Sequence, residues 1–286
     1  MILTALVSSE ILARHLDDPD WVIFDCRHEL SDPARGRADY AKSHLPGARF
    51  VHLDEDLSSP KTGKNGRHPL PDPALLAEKL GWAGVDSGKQ VAAYDAQGGL
   101  FAARLWWLLR WLGHLPVAVL DGGWNQWVAE NRPQTAELPV PRQTRFSGTP
   151  DRSWVDAKFV RSHLEDAGLV LLDARAPDRF RGENETLDPV GGHIPGARNR
   201  YFRDNLDASG RFKPAAALRK EFSDVLGDTG ADQAVHYCGS GVSACHNLLA
   251  MELAGLRGGR LYAGSWSEWS ADPSRPVATG APGAIG

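Results

Sequence analysis

The chain has 286 residues, 42% hydrophobic and 24% charged, with a formal net charge of −4. That length fits one large domain or two of ordinary size, and the mild acidity gives no electrostatic basis for nucleic acid. No apolar run approaches the ~18 residues that span a bilayer, and the first ten residues lack the basic flank and apolar core of a signal peptide. Three cysteines in a chain this long argue against a disulfide framework and for a reducing compartment, the cytoplasm.

In chain order, Trp21-Val-Ile-Phe-Asp25-Cys-Arg27 is a short apolar run ending in charge, the pattern of a buried parallel strand at its C-terminal end. The turn His44-Leu-Pro-Gly47-Ala precedes a second strand, Arg49 to Leu53. Residues 54–72 are polar and rich in Gly, Pro and Ser, and predict a long loop. Ala74 to Leu80 is helical in pattern and Gln90 to Tyr94 is a strand closed by Asp95-Ala-Gln-Gly-Gly99. A helix is expected from about Leu100 to Leu112, followed by a strand at Val117 to Leu120 and the closure Asp121-Gly-Gly-Trp124.

The same landmarks then return. Asp173-Ala-Arg175 repeats Asp25-Cys-Arg27, and His193-Ile-Pro-Gly196-Ala repeats His44-Leu-Pro-Gly47-Ala. Ala234 to Tyr237 with Cys238 repeats Ala92 to Tyr94 with Asp95, and Ala263-Gly-Ser-Trp266 repeats Asp121-Gly-Gly-Trp124. The offset runs only from 142 (Asp121 to Ala263) to 149 (His44 to His193). Ordered matches at a near-constant offset signal a duplicated unit. Strands alternating with helices predict an α/β fold for each half, a parallel sheet with helices on both faces. The predicted division is 1–130, a Pro-containing linker at 131–153 (Pro133, Pro139, Pro141, Pro150), and 154–286. The cleft between the halves is the expected place for a ligand.

The halves differ at one decisive position: the second has Cys238 where the first has Asp95. Cys238 ends a strand and opens the turn Gly239-Ser-Gly241-Val-Ser243, after which Cys245, Leu248, Leu249, Leu253 and Leu256 mark a helix stripe. Backbone N–H groups at such a turn gather around an anion, and the helix dipole adds partial positive charge. A thiolate placed there is stabilised, so Cys238 is expected to be a reactive nucleophile near neutral pH. Aspartate cannot do this chemistry, so the first half reads as structural or as one wall of the site.

Together these residues resemble the two-domain rhodanese sulfurtransferases over nearly the whole chain. The resemblance implies tandem rhodanese-like domains, the first, 1–130, catalytically silent and the second, 154–286, carrying the cysteine. The loop Cys238-Gly-Ser-Gly-Val-Ser243 is similar to the mercaptopyruvate branch, with Ser243 where threonine is usual, and lacks the basic residues that follow the cysteine in the thiosulfate branch. Arg179-Phe180 matches one substrate arginine of the mercaptopyruvate branch. The second is expected nine residues on, where this chain has Asp188, as thiosulfate-type members do. Arg181 is a candidate substitute. The resemblance further implies Ser240 beside the thiolate and His68 and Asp54 as acid–base partners.

The chemistry that follows is sulfur transfer. Cys238 takes sulfur from a small anionic donor, 3-mercaptopyruvate with thiosulfate as the alternative, and holds it as a persulfide. The N–H groups from Gly239 through Gly241, Val242 and Ser243 to Ala244 stabilise the outer sulfur, and Arg179 grips a donor carboxylate. The acceptor is a thiol, such as a thioredoxin-like protein or a small thiol, or cyanide. No cofactor and no metal are expected: Cys238, Cys245 and His246 match no zinc spacing, and there is no phosphate-binding glycine fingerprint.

Other residues read as structural. Cys245 and Cys26 are expected to be buried small hydrophobes, and His236 a structural residue facing away from Tyr237. The Asp-x-Arg pairs recur in the silent half and so read as fold-supporting ion pairs. Arg104 and Arg110 read as helix-surface cations. A cysteine phosphatase or arsenate reductase needs a longer loop closed by arginine, where this chain has Ser243, Ala244 and Cys245. A non-catalytic sulfur carrier is the remaining rival.

Overall fold

The computed structural model describes residues 2–140 and 142–281. Met1, the linker residue Pro141 and residues 282–286 of the second predicted domain lie outside the described residues. The chain separates into two compact units. The first comprises Met1–Ser59, Pro71–Asp151 and Ala208–Phe212, and the second Pro60–Leu70, Arg152–Asp207 and Lys213–Gly286.

The first unit holds strands β1 (Leu6–Val7), β2 (Trp21–Asp25), β3 (Arg49–Phe50), β4 (Gln90–Tyr94) and β5 (Val117–Leu120). Its helices are α1 (Ser9–Ala13), α2 (Arg35–Lys42), α3 (Pro73–Trp82), α4 (Ala102–Trp111) and α5 (Gly123–Ala129). The second repeats the order with β6 (Trp154–Val155), β7 (Val170–Asp173), β8 (Arg198–Asn199), β9 (Ala234–Tyr237) and β10 (Arg260–Tyr262). Its helices are α6 (Ala157–Ser162), α7 (Pro177–Arg181), α8 (Ala215–Leu226), α9 (Ser243–Leu253) and α10 (Ser265–Trp269). The sheet orders are β1-β5-β4-β2-β3 and β6-β10-β9-β7-β8, the same topology twice, and the pairings are parallel. Of the predicted second strand, only Arg49 and Phe50 pair with β2.

Both faces of each sheet are covered, so the central strands are buried along nearly their whole length and mostly apolar. In the second unit Leu171, Val235 and Tyr237 face one core with Val160, Phe180, Trp266 and Trp269. His236 faces the other side, and α9 packs on that strand. Gly255, at φ +70°, follows the C-cap Ala254 of α9 and ends that helix.

The recurring landmarks form one network in each unit. Arg27 donates through Nε and Nη2 to the Asp25 carboxylate (2.6–3.0 Å), and Tyr94 donates its hydroxyl to the same carboxylate at 2.6 Å. The Leu45 N–H of the His44-Leu-Pro-Gly turn donates to Tyr94 Oη at 3.2 Å, and the Arg27 guanidinium lies 4.2 Å from the Trp124 ring centre. In the second unit Arg175 grips Asp173, the Ile194 N–H meets Tyr237 Oη at 3.2 Å, and Arg175 lies 4.8 Å from Trp266. Asp25 and Asp173 are fully buried. A buried carboxylate must keep its cation, since removing one partner costs about 3–5 kcal/mol. The pairs are the structural elements their recurrence predicts.

One expectation fails. Arg104 is not a surface cation but is fully buried in α4. The residues that follow it round the helix, Leu105, Trp106, Trp107, Leu108 and Leu109, are also buried, so α4 has no solvent face at that position.

Candidate active site

The site is built at the C-terminal end of β9, the central strand of a five-stranded parallel sheet, and open α/β folds place their ligands at the C-terminal ends of their strands. The strand delivers Cys238 to a turn that only glycine fits at Gly241. Its φ is +78°, and a Cβ there would lie 2.4 Å from the Ala263 carbonyl oxygen. The folded turn aims two N–H groups at the sulfur: Gly241 N lies 3.1 Å and Ser240 N 3.4 Å from Cys238 Sγ. Val242, the N-cap of α9, supplies no side-chain cap to the start of that helix. Cys238 is buried, at 2% exposure.

The turn after β10 holds the loop from beneath. Trp266 N donates to the Cys238 carbonyl and Ser267 N to that of Gly239, both at 2.9 Å. Ser265 Oγ accepts the Cys238 N–H at 3.1 Å and donates to the Tyr262 carbonyl at 2.9 Å. Ser265 does this at φ +54°, a left-handed conformation that costs a residue with a Cβ roughly 1–2 kcal/mol.

Residues 60–70 belong to this unit. Gly66, at φ +83°, is where the segment meets Gly264: a Cβ would lie 2.7 Å from the Gly264 oxygen. Arg67 N donates to Ser267 Oγ at 3.0 Å, and His68 Nδ1 lies 2.7 Å from Ser240 Oγ. His68 and Ser240 are both buried.

Two guanidinium groups converge on Gly239. A Cβ there would lie 2.6 Å from Arg67 Nη2 and 3.7 Å from Arg179 Nη1. Arg179, from α7, donates to the Glu185 carboxylate at 2.7 and 2.8 Å, and its Nη2 lies 3.5 Å from Asp188. Arg67 pairs with the same Asp188 through Nη1. The Glu185 and Asp188 side chains are 4% and 3% exposed. Burial opposes the charge on Glu185, but the Leu187 N–H, Arg179 and Arg175 outweigh it and hold the carboxyl below its ordinary range.

Cys238, Ser240, His68, Arg179, Gly239, Gly241, Val242 and Ser243 are therefore brought together within one unit. Arg181 is not: its guanidinium is taken by Glu183, at 2.7 Å for both contacts. Asp54 belongs to the first unit, where its carboxylate lies 4.0 Å from His28 Nε2. Cys245 is buried, its Sγ 3.2 Å from the Gly241 carbonyl. Burial pushes the Cys26 thiol well above its ordinary range, with Asp95 and Asp25 adding to the effect. His236 is fully buried with neither ring nitrogen hydrogen-bonded, and desolvation pushes it down to about 3, so it is neutral and no base. Reasoning from sequence missed Arg67, Glu185 and Ser265. Arg67 sits in an unpatterned polar loop, and its one signal was being next to His68. Among the described residues no group of three or more His, Cys, Asp or Glu side chains is placed to hold a metal, and no helix is long and apolar enough to cross a membrane.

The rhodanese-like domain family matches the chain twice, over residues 8–130 and 156–272. A Pseudomonas aeruginosa protein named "Probable 3-mercaptopyruvate sulfurtransferase" is 51% identical over 96% of this chain and 98% of its own. The thiosulfate sulfurtransferase of Cricetulus griseus is 34% identical over 98% of this chain and 97% of its own. Among solved structures, SseA from Escherichia coli, described as a 3-mercaptopyruvate sulfotransferase, superposes with a TM-score of 0.80 at 29% identity, covering 92% of this chain and 99% of SseA. The chain belongs to the rhodanese family and carries its domain twice. Its full-length relatives bear sulfurtransferase names.

Proposed function

We propose that the protein is a sulfurtransferase that moves sulfur from 3-mercaptopyruvate to a thiol or cyanide through a persulfide on Cys238. The observation that carries this reading is the Cys238 sulfur facing the N–H groups of Ser240 and Gly241, with Arg179 over Gly239. A soft thiolate is suited to attack on sulfur.

In the first half-reaction Cys238 Sγ attacks the donor sulfur, and the Sγ–S bond forms as the donor C–S bond breaks. The electron pair of that bond goes to the leaving carbon, giving the pyruvate enolate, which takes up a proton. Ser240 and His68, 2.7 Å apart, are the pair assigned to that proton. In the second half-reaction the acceptor attacks the outer sulfur, the Sγ–S bond breaks and the pair returns to Sγ. Two half-reactions predict ping-pong kinetics. Within this reading, residues 154–286 carry the nucleophile, 1–130 are catalytically silent in having no nucleophile of their own while lending His68 and Asp54, and 131–153 join them. Arg179 takes the donor carboxylate, and Asp54 is an acid–base partner carried over by resemblance. Free-cysteine chemistry, with all three cysteines unbridged, favours a cytoplasmic setting with a small thiol or thioredoxin-like acceptor.

The second reading keeps the persulfide and makes thiosulfate the donor. Asp188, in place of an expected arginine, favours it. The test is kcat/KM for the two donors with cyanide as acceptor. The expected result is a preference for 3-mercaptopyruvate of at least about tenfold; a preference for thiosulfate overturns the donor assignment.

A further inference from the structure

Arg67 has a geometry that charge balance alone does not require. Its backbone N–H is tied to Ser267, its neighbour His68 is tied to Ser240, and its Nη1 is spent on Asp188. Arg179 is likewise spent through Nε and Nη2 on Glu185 and Asp188. The opposite edges are unspent: among the described residues neither Arg67 Nη2 nor Arg179 Nη1 donates to an acceptor. Those two nitrogens are the ones nearest Gly239, the residue after the nucleophile. Two carboxylates with almost wholly buried side chains thus hold two guanidinium groups by their far edges and leave the near edges facing the reacting loop.

We propose that Arg67 is a second donor-binding residue, forming with Arg179 a two-armed cradle for the donor's anionic group beside Cys238, and that Asp188 is the positioning residue that aims both arms. This rests on the sulfur-transfer reading above and deepens it. A planar carboxylate offers two oxygens, and a guanidinium on either side gives each oxygen a charge-assisted donor. Asp188 then costs the site less than its charge suggests. It cancels part of the positive field but fixes two long side chains whose ordering the donor would otherwise have to supply.

The rival role for Arg67 is to neutralise buried Asp188 without touching the donor. A double-mutant cycle separates the two. Arg67→Gln is expected to raise KM for 3-mercaptopyruvate by about 10–100-fold with kcat changed only a few-fold, as loss of a charge-assisted contact does. Arg67→Lys should recover part of the loss. In the Asp188→Asn background Arg67→Gln should still raise KM at least tenfold, because the donor contact remains to be lost. Donor binding to Cys238→Ser protein with and without Arg67→Gln gives the same comparison without turnover. An unchanged KM in Arg67→Gln, or a loss that disappears once Asp188 is Asn, overturns the proposal. Mapping the persulfide in wild type keeps the two readings apart. If Cys238 carries sulfur while Arg67→Gln leaves KM unmoved, only the cradle fails; if wild type forms no Cys238 persulfide, the sulfur-transfer reading fails with it.

Discussion

The loops after β4 and β9 are the same piece of chain put to two uses. In the first unit Asp95 turns its carboxylate back into its own loop. Oδ1 accepts from Gln97 N and Gly99 N at 2.8 and 2.9 Å, and Oδ2 from Phe101 N and Ala102 N at 2.7 and 2.9 Å. Burial raises this carboxyl above its ordinary range, and the four N–H groups pull it only part of the way back. With both oxygens accepting two N–H bonds and offered no acceptor, the geometry is that of the anion. The loop is therefore an anion nest filled from within. In the second unit the nucleophile takes that place, and Cys238 Sγ draws on Ser240 and Gly241. By the same 143-residue offset (238 − 95), Val242 and Ala244 match Gly99 and Phe101. A sulfur anion bound to Cys238 would meet the nest that Asp95 fills in the first unit. The difference teaches that the fold supplies the anion site and one side chain decides whether it is structure or chemistry.

The comparison is broken most forcefully at the two divergent residues. Cys238→Ser should reduce sulfur transfer by on the order of 10³-fold or more, because a hydroxyl forms no persulfide. Asp95→Ala should leave Cys238 persulfide formation within a few-fold of wild type while destabilising the protein by about 2–4 kcal/mol, since it orphans four N–H donors. Thermal unfolding and persulfide mapping on the same sample check both halves of that statement. An Asp95 variant that stays folded but inactive would show that the first loop is not merely structural.

A second contrast concerns the strands themselves. Ala93 of β4 aligns with His236 of β9, which is buried and unpaired. Its folded value of about 3 lies below the ordinary 6.5. The unfolded chain therefore binds the proton first, and the stability present above pH 6.5 is lost as pH falls toward 3. The slope is about 1.4 kcal/mol per pH unit for one such group. Replacing His236 by Leu should flatten the acid limb of stability between pH 6 and 4.5 by about 2 kcal/mol, measured by denaturant midpoints at each pH. An unaltered limb would mean that other groups govern it.

The smallest expected effect sharpens the comparison most. Gly123 of the first unit corresponds to Ser265, and both have positive φ, +56° and +54°. Only glycine fits the first, where a Cβ would lie 2.3 Å from the Asp95 carbonyl. The second keeps a serine whose hydroxyl takes the Cys238 N–H. Ser265→Gly should thus relieve backbone strain and leave stability nearly unchanged, yet slow persulfide formation about tenfold by loosening the nucleophile. An unaffected rate would make Ser265 a fold residue only.

How much was legible follows from what repeats. Asp25 and Arg27, the Leu45 N–H of the His44 turn, Tyr94 and the half-buried Trp124 come from separate parts of the chain but form one network, so the duplicated copy preserved these landmarks at near-constant spacing and exposed the fold. Cys238 was legible because it is the residue that breaks the repeat. Arg67 was not, because it reaches the loop through residues 60–70, which belong to the second unit while lying in the first half of the sequence. Asp188 looked like a missing arginine. Its pairing with Arg67 and Arg179 became visible only with side chains in place. Arg104 misled because a charge in an amphipathic pattern reads as solvent-facing, and α4 has no such face there.

The most direct test of the central claim is mass-spectrometric mapping of the intact protein after exposure to 3-mercaptopyruvate without an acceptor. Cys238 should gain one sulfur atom and lose it on addition of cyanide, with Cys26 unmodified because burial beside Asp95 and Asp25 holds its thiol well above the ordinary range, and Cys245 unmodified because its Sγ is turned onto the Gly241 carbonyl. No added sulfur, or sulfur found only on Cys26 or Cys245, would contradict the account.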